Sequence, residues 1–138
     1  MQAQAKLYNS GYSPRKMRLL ADLIRGIKAD KALFILKVHE KKMYSLEMEK
    51  LLLSAISNWK IKNEGGSGDE SELIVKTVSV DSGRMLKRIQ PAPQGRAHRV
   101  RKRSNHISII VSDGRIDEIS PKGLNKEIEA NEETVNQE

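Results

Sequence analysis

The chain has 138 residues, a formal charge of +7 and no cysteine. That length suits one domain with a modest core rather than two, and the missing cysteine excludes a disulfide framework, a Cys-based zinc site and a thiol nucleophile. No apolar run approaches the ~18 residues that a membrane helix needs.

The N-terminus, MQAQAKLYNSGYS, lacks both the apolar core of a signal peptide and the Arg-rich pattern of a transit peptide, so a cytoplasmic protein with no membrane partner is expected. Residues 3–8, AQAKLY, read as a short strand, and Asn9-Ser10-Gly11 as a turn. Ser13-Pro14 opens a helix, with Ser13 as N-cap and Pro14 in the first helical position. Met17, Leu20, Ala21 and Ile24 follow at helical spacing, and Gly26 is placed to end the helix in a left-handed conformation. Arg15, Lys16 and Arg18 crowd the first turns, where the helix dipole favours anions. Either they are simply solvated, or they bind phosphate.

A second helix is expected from Asp30 as N-cap, through Ala32, Leu33, Ile35 and Leu36 towards Val38. A third covers about Ser45 to Asn63, with Met48, Leu52, Ala55 and Trp59 in one stripe that Leu51 and Ile56 widen. Trp59 at that spacing reads as a core anchor rather than a base-stacking platform. Residues 63–70 read as a flexible acidic loop. Its G-x-x-G match to RNA-clamping loops is discounted, because the flanks are acidic and a strand follows.

Residues 72–81, ELIVKTVSVD, and 106–112, HISIIVS, read as strands that pair antiparallel, with Ile107, Ile109 and Val111 on one face. Between them runs RMLKRIQPAPQGRAHRVRKR. It holds Arg84, Lys87, Arg88, Arg96, Arg99, Arg101, Lys102 and Arg103 and no acid. A packed core cannot absorb that many unpaired cations. The stretch therefore reads as a basic hairpin over about 82–105 that extends the ladder outward by roughly 30 Å, at ~3.3 Å per residue. An isolated two-stranded ribbon is marginal in water, so it should order against a partner. Charge alternates along the chain: residues 1–63 carry +8, 64–83 carry −4, 84–112 carry +8 and 113–138 carry −5. Two basic blocks of this kind point to a nucleic-acid partner. The final stretch, 114–138, is acidic, sparse in apolar residues and expected to be disordered.

Catalytic constellations are lacking. His39, His98 and His106 have no metal-ligand spacing among them, and no P-loop is present. The basic stretch offers no carboxylates to hold a nuclease's metal ions. His98 and His106, in or beside that stretch, suit contact with phosphate or stacking on a base. No enzyme, cofactor, metal or small-molecule substrate is expected.

SPRKMRLLADLIRG, LLLSAISNW, VSVDSG and LKRIQPAPQGRAHRVRKRSNHISIIVSD, in that order, resemble the universal large-subunit ribosomal protein number twenty-two family in its bacterial form, over about Lys6 to Asp113. The resemblance implies an α+β fold, three helices packed on a small antiparallel sheet with a long protruding β-hairpin, in one domain over 1–113. It implies a structural constituent of the large subunit that binds rRNA, supports assembly and lines the peptide exit tunnel with its hairpin tip. The expected partners are large-subunit rRNA, neighbouring ribosomal proteins and the nascent peptide, and hairpin changes are associated with macrolide resistance. The rRNA contacts expected are Arg15, Lys16, Arg18, Arg84, Lys87, Arg88, Arg96, His98, Arg99, Arg101, Lys102, Arg103 and His106. Carried over by position, Arg84 to Ile89 is the inbound arm, Gln90 to Arg96 the tip and Ala97 to Arg103 the return. Gln90, Pro91, Ala92, Pro93, Gln94 and Gly95 make a nearly neutral tip, since Ala92 and Gln94 stand where the family often has basic residues. The charge pattern by itself also permits a free nucleic-acid-binding regulator or RNA chaperone.

Overall fold

The computed structural model describes residues 1–63 and 73–113. The acidic tail and all but Asn63 of the acidic loop expected from the sequence lie outside those residues. Strand β1 (Gln2–Ser10) leads into helices α1 (Pro14–Ile24), α2 (Ala29–Val38) and α3 (Lys42–Lys62). Strands β2 (Ile74–Ser82), β3 (Leu86–Pro91), β4 (Ala97–Lys102) and β5 (Asn105–Ser112) follow. The main sheet is antiparallel in the order β1-β5-β2, and β3 and β4 form a separate two-stranded ribbon. This is the expected α+β class.

β5 alternates along its length. Asn105, Ile107, Ile109 and Val111 are buried, while His106, Ser108 and Ile110 are only half-buried. A strand with one dry face and one open face reads in this way. The flanking strands supply Ala3 and Ala5 from β1 and Val75, Val78 and Val80 from β2 to the same dry face. All three helices cover it, α3 along β1 and α1 along β2, with α2 against α3. Met17, Leu20 and Ile24 from α1, Leu36 from α2 and Met48, Leu52 and Trp59 from α3 complete the core. The expected stripes are therefore the buried ones, and Trp59 is a core residue.

Helix starts depart from the sequence reading. Ser13 stands at the α1 boundary, but its side chain makes no capping bond, and its carbonyl accepts from Lys16 and Met17 N–H instead. α2 begins at Ala29, ahead of the expected cap Asp30, which sits inside the first turn. The cause is tertiary. Ala29 N–H donates to the Leu73 carbonyl, and Val75 N–H donates to the Ile27 carbonyl, so β2 holds this segment from outside the helix. α3 starts at Lys42 rather than Ser45, whose Oγ donates to the Lys42 carbonyl. Gly26 has φ +76°, as expected for a left-handed stop, and its N–H donates to the Val75 carbonyl at 2.8 Å.

These contacts also close the outer edge of β2. Beyond the Ile27 pairing, Arg25 Nη2 donates to the Val78 carbonyl at 3.0 Å and Arg18 Nε to the Val80 carbonyl at 3.1 Å. An edge strand covered in this way cannot recruit another chain. On the opposite edge, Asn58 of α3 donates to the Gln4 carbonyl.

Candidate nucleic-acid interface

The basic stretch folds as the expected hairpin. β3 and β4 pair from Leu86↔Lys102 to Pro91↔Ala97, six residues on each side, and every one of them is exposed. At ~3.3 Å per residue the ribbon itself is about 20 Å long. The ladder does not run unbroken from the main sheet, as the sequence reading supposed. The last sheet pair is Ser82↔Asn105 and the first ribbon pair is Leu86↔Lys102. Gly83, Arg84 and Met85 on the outbound side thus face only Arg103 and Ser104 on the return, which is a one-residue bulge.

Two bonds lock this root. Gly83 N–H donates to the Ser104 carbonyl, and Ser104 Oγ donates to the Arg84 carbonyl. A Cβ on Gly83 would lie 2.6 Å from Ser104 Oγ and 3.2 Å from His106 Nε2, so any larger residue there must push the Ser104 side chain aside. Bulges bend and twist a ribbon, and this one separates the register of the arm from that of the main sheet.

At the far end the strands continue to Pro91, so Gln90 and Pro91 belong to the inbound arm and the turn narrows to Ala92–Arg96. Gln94 and Gly95 both hold left-handed backbone, φ 63° and 71°. Ala92 N–H donates to the Arg96 carbonyl and closes the loop.

Strand alternation divides the cations between both faces of the ribbon. Lys87, Arg99 and Arg101 lie on one face with Ile89, and Arg88 and Lys102 on the other with His98, Leu86 and Val100. Lys87 stands directly opposite Arg101, a like-charge pair that opposes folding until counterions or phosphates neutralise it. Among the described residues the ion pairs are Met1 amino–Asp113 and Arg25–Asp22, and neither includes a hairpin cation. A ribbon charged on both faces, apolar in patches and unpaired, suits insertion between nucleic-acid segments rather than docking on one.

The remaining expected residues separate. Arg15 is exposed at the start of α1. Lys16 Nζ sits 5.8 Å from the centre of the Tyr44 ring. Arg18 is engaged with the Val80 carbonyl and so has a structural task that charge counting does not reveal. His98 is on the ribbon opposite Gln90. His106 is on the main sheet at the hairpin root, where Nδ1 accepts from Asn9 N–H at 3.1 Å and the ring meets Tyr8 edge-on at 5.6 Å. Tyr8 did not enter the sequence reading of the site. Its only signal there is its place two residues after Lys6 on the strand's polar face.

The family described as ribosomal protein L22p/L17e matches residues 5–112. The chain is 61% identical over 109 residues to the large ribosomal subunit protein uL22 of Christiangramia forsetii, covering 79% of this chain and 80% of that protein. The uL22 of Flavobacterium johnsoniae is 59% identical over 109 residues, covering 79% of each chain. That of Porphyromonas gingivalis is 53% identical over 107 residues, covering 78% of each.

Proposed function

The chain belongs to the ribosomal protein L22p/L17e family, a structural protein of the large ribosomal subunit, and from that premise we propose that the β3–β4 hairpin is its principal rRNA-binding element. The observation that carries this is the set of unpaired cations on both faces of an exposed ribbon. Arg84, Lys87, Arg88, Arg96, Arg99, Arg101, Lys102 and Arg103 neutralise phosphates and release counterions, which supplies affinity with little base readout. Most of them are arginine, whose planar fork suits phosphate better than an ammonium does. His98, Arg15 and Lys16 add contacts at the ribbon and at α1.

The turn Ala92–Arg96, with Gln90 and Pro91 before it, lines the peptide exit tunnel and faces the nascent chain. Pro91 and Pro93 stiffen it and Arg96 is its one cation, so it acts through shape more than charge. Phe34 and Val38 on α2 and Met43 and Leu46 on α3 are exposed and offer apolar contacts to neighbouring ribosomal proteins. The role is binding and scaffolding rather than catalysis.

Sedimentation tests the reading. The chain is expected to travel with the large subunit through a moderate-salt wash. Arg99→Ala/Arg101→Ala should be stripped at lower salt, with the slope of log affinity against log salt shallower by about 0.7–0.9 for each phosphate no longer neutralised. Recovery of the wild-type chain wholly in the soluble pool of growing cells refutes the proposal.

A further inference from the structure

The open face of the main sheet, opposite the helices, carries a trough that the hairpin reading does not use. Its cavity volume is about 140 Å³, and it is lined by Lys6, Tyr8, Asp81, His106, Ile107 and Ser108. Ligand pockets for drug-sized molecules run to ~300 Å³ and above, so this one suits a single planar ring. Lys6 lies on β1 and Asp81 on β2, with β5 between them. Lys6 stands level with Ser108 and Asp81 with His106, so two strand spacings and a two-residue offset put their backbones about 12 Å apart. Their side chains wall the trough, and β5 floors it.

The backbone is shaped to present Tyr8 here. β1 and β5 pair as Leu7↔Ile107 and then Ser10↔Asn105, so Tyr8 and Asn9 together oppose the single residue His106. Asn9 takes φ 56°, an unusual conformation for a residue with a side chain. That turn aims Asn9 N–H at His106 Nδ1 and leaves Nε2 as the ring's donor, next to Gly83. Bulges often re-aim a side chain, and this one leaves Tyr8 64% exposed with its ring at 62° to the imidazole.

We infer that this trough holds one unpaired RNA nucleotide, its base stacked on Tyr8 and an exocyclic amine of that base donating to Asp81. The inference rests on the rRNA-binding reading above and extends it from the hairpin to the sheet. Three observations select a nucleotide. The trough adjoins the root of the basic hairpin, so a strand leaving the arm reaches it directly. Lys6 supplies a cation for the adjoining phosphate. Asp81 is exposed and, among the described residues, has no ion-pair partner. A carboxylate among phosphates is repulsive unless a donor faces it, and the two-proton exocyclic amines of adenine, cytosine and guanine are such donors, whereas uracil has no exocyclic amine and offers only its ring N3–H.

The test uses the full chain, large-subunit rRNA and short homopolymer competitors. Tyr8→Ala is expected to weaken rRNA binding roughly tenfold with an unchanged salt slope, because stacking releases no counterions, and Tyr8→Phe to bind like wild type. Oligo(A) or oligo(C) should compete better than oligo(U), and Asp81→Ala should abolish that preference. Short-wavelength ultraviolet light should cross-link wild-type Tyr8 to a nucleotide, an assay that needs no folded variant. Unchanged affinity in Tyr8→Ala, or a slope that falls by a full phosphate's worth, overturns the inference. If Arg99→Ala/Arg101→Ala still lowers the slope in that case, the hairpin reading stands and only the trough fails. If wild type binds no rRNA, both fail.

Discussion

Trp59 is the chain's one indole and is 2% exposed, and its Nε1 has no hydrogen-bond partner among the described residues. Its contribution is therefore almost wholly apolar. Trp59→Ala should cost about 3–5 kcal/mol in denaturant unfolding. Trp59→Phe should cost much less, because the N–H it deletes makes no bond. A loss in Trp59→Phe equal to that in Trp59→Ala would show that the indole nitrogen is engaged after all. Gly83 presents the converse case, a residue defined by what it lacks. Gly83→Ala drives a Cβ against Ser104 Oγ, which must turn away and give up its bond to the Arg84 carbonyl. The expected loss is about 1–2 kcal/mol. Adding Ser104→Ala removes the closest contact and leaves those at 3.2 Å to His106 Nε2 and the Ser104 backbone, so the double variant should lose less than the sum of the singles in a mutant cycle.

Helix α1 and its C-cap residue Arg25 work on two sides of the molecule, and the arginines divide accordingly. Arg18 and Arg25 reach back to carbonyls of β2, whereas Arg15 points its charge outward. Arg18→Ala/Arg25→Ala should uncover the β2 edge, lower stability by about 1–3 kcal/mol at a typical ~1 kcal/mol per bond, and promote self-association detectable by light scattering. Arg15→Ala should leave stability unchanged and reduce the salt slope of rRNA binding by about one unit. If Arg15→Ala instead leaves the slope as it was, that side chain is merely solvated. This split marks where the sequence stops being legible. Periodicity located α1, α2, α3 and β5 because burial imposes 3.6- and 2-residue repeats on the residues themselves, as Met17, Leu20, Ala21 and Ile24 do. Charge density located the hairpin in the same way. Arg18 and Arg25 look like Arg15 in sequence because their partners are backbone carbonyls some 53 to 62 residues away. Asp30 misled as a helix start because the bond from Ala29 N–H to the Leu73 carbonyl overrode local capping, and Ser45 because its Oγ turns back to the Lys42 carbonyl inside the first turn of α3. The bulges at Tyr8–Asn9 and Gly83–Met85 depend on pairing register, which no local pattern carries.

At the scale of the whole molecule the protein is a packed domain carrying an arm that it does not stabilise. Among the described residues the core is drawn from the main sheet, the helices and Leu73 just before β2, and none of it from β3 or β4. The arm carries like charges on both faces and two strands only, and such ribbons are marginal in water. The free chain should therefore show fast amide exchange over residues 86–102 against slow exchange in β5, and protection of the arm should appear only on binding rRNA. The same separation governs deletions. Removing Leu86-Lys87-Arg88 takes out three exposed residues beyond the bulge and leaves the pairs from Ile74↔Ser112 to Ser82↔Asn105 untouched. Unfolding of the domain should change by less than about 0.5 kcal/mol, as for other exposed sites. The inbound strand, however, shortens by about 10 Å at ~3.3 Å per residue, so β4 must re-register against it and the turn is drawn back. Because three is odd, Ile89 then occupies the place of Leu86 and its side chain turns to the opposite face of the ribbon. On the proposed placement of the turn Ala92–Arg96 at the tunnel wall, the deletion withdraws it, and ribosomes assembled with this variant should respond differently to macrolides. A drug response identical to wild type, in ribosomes shown to contain the shortened protein, would mean that the tip does not form that wall.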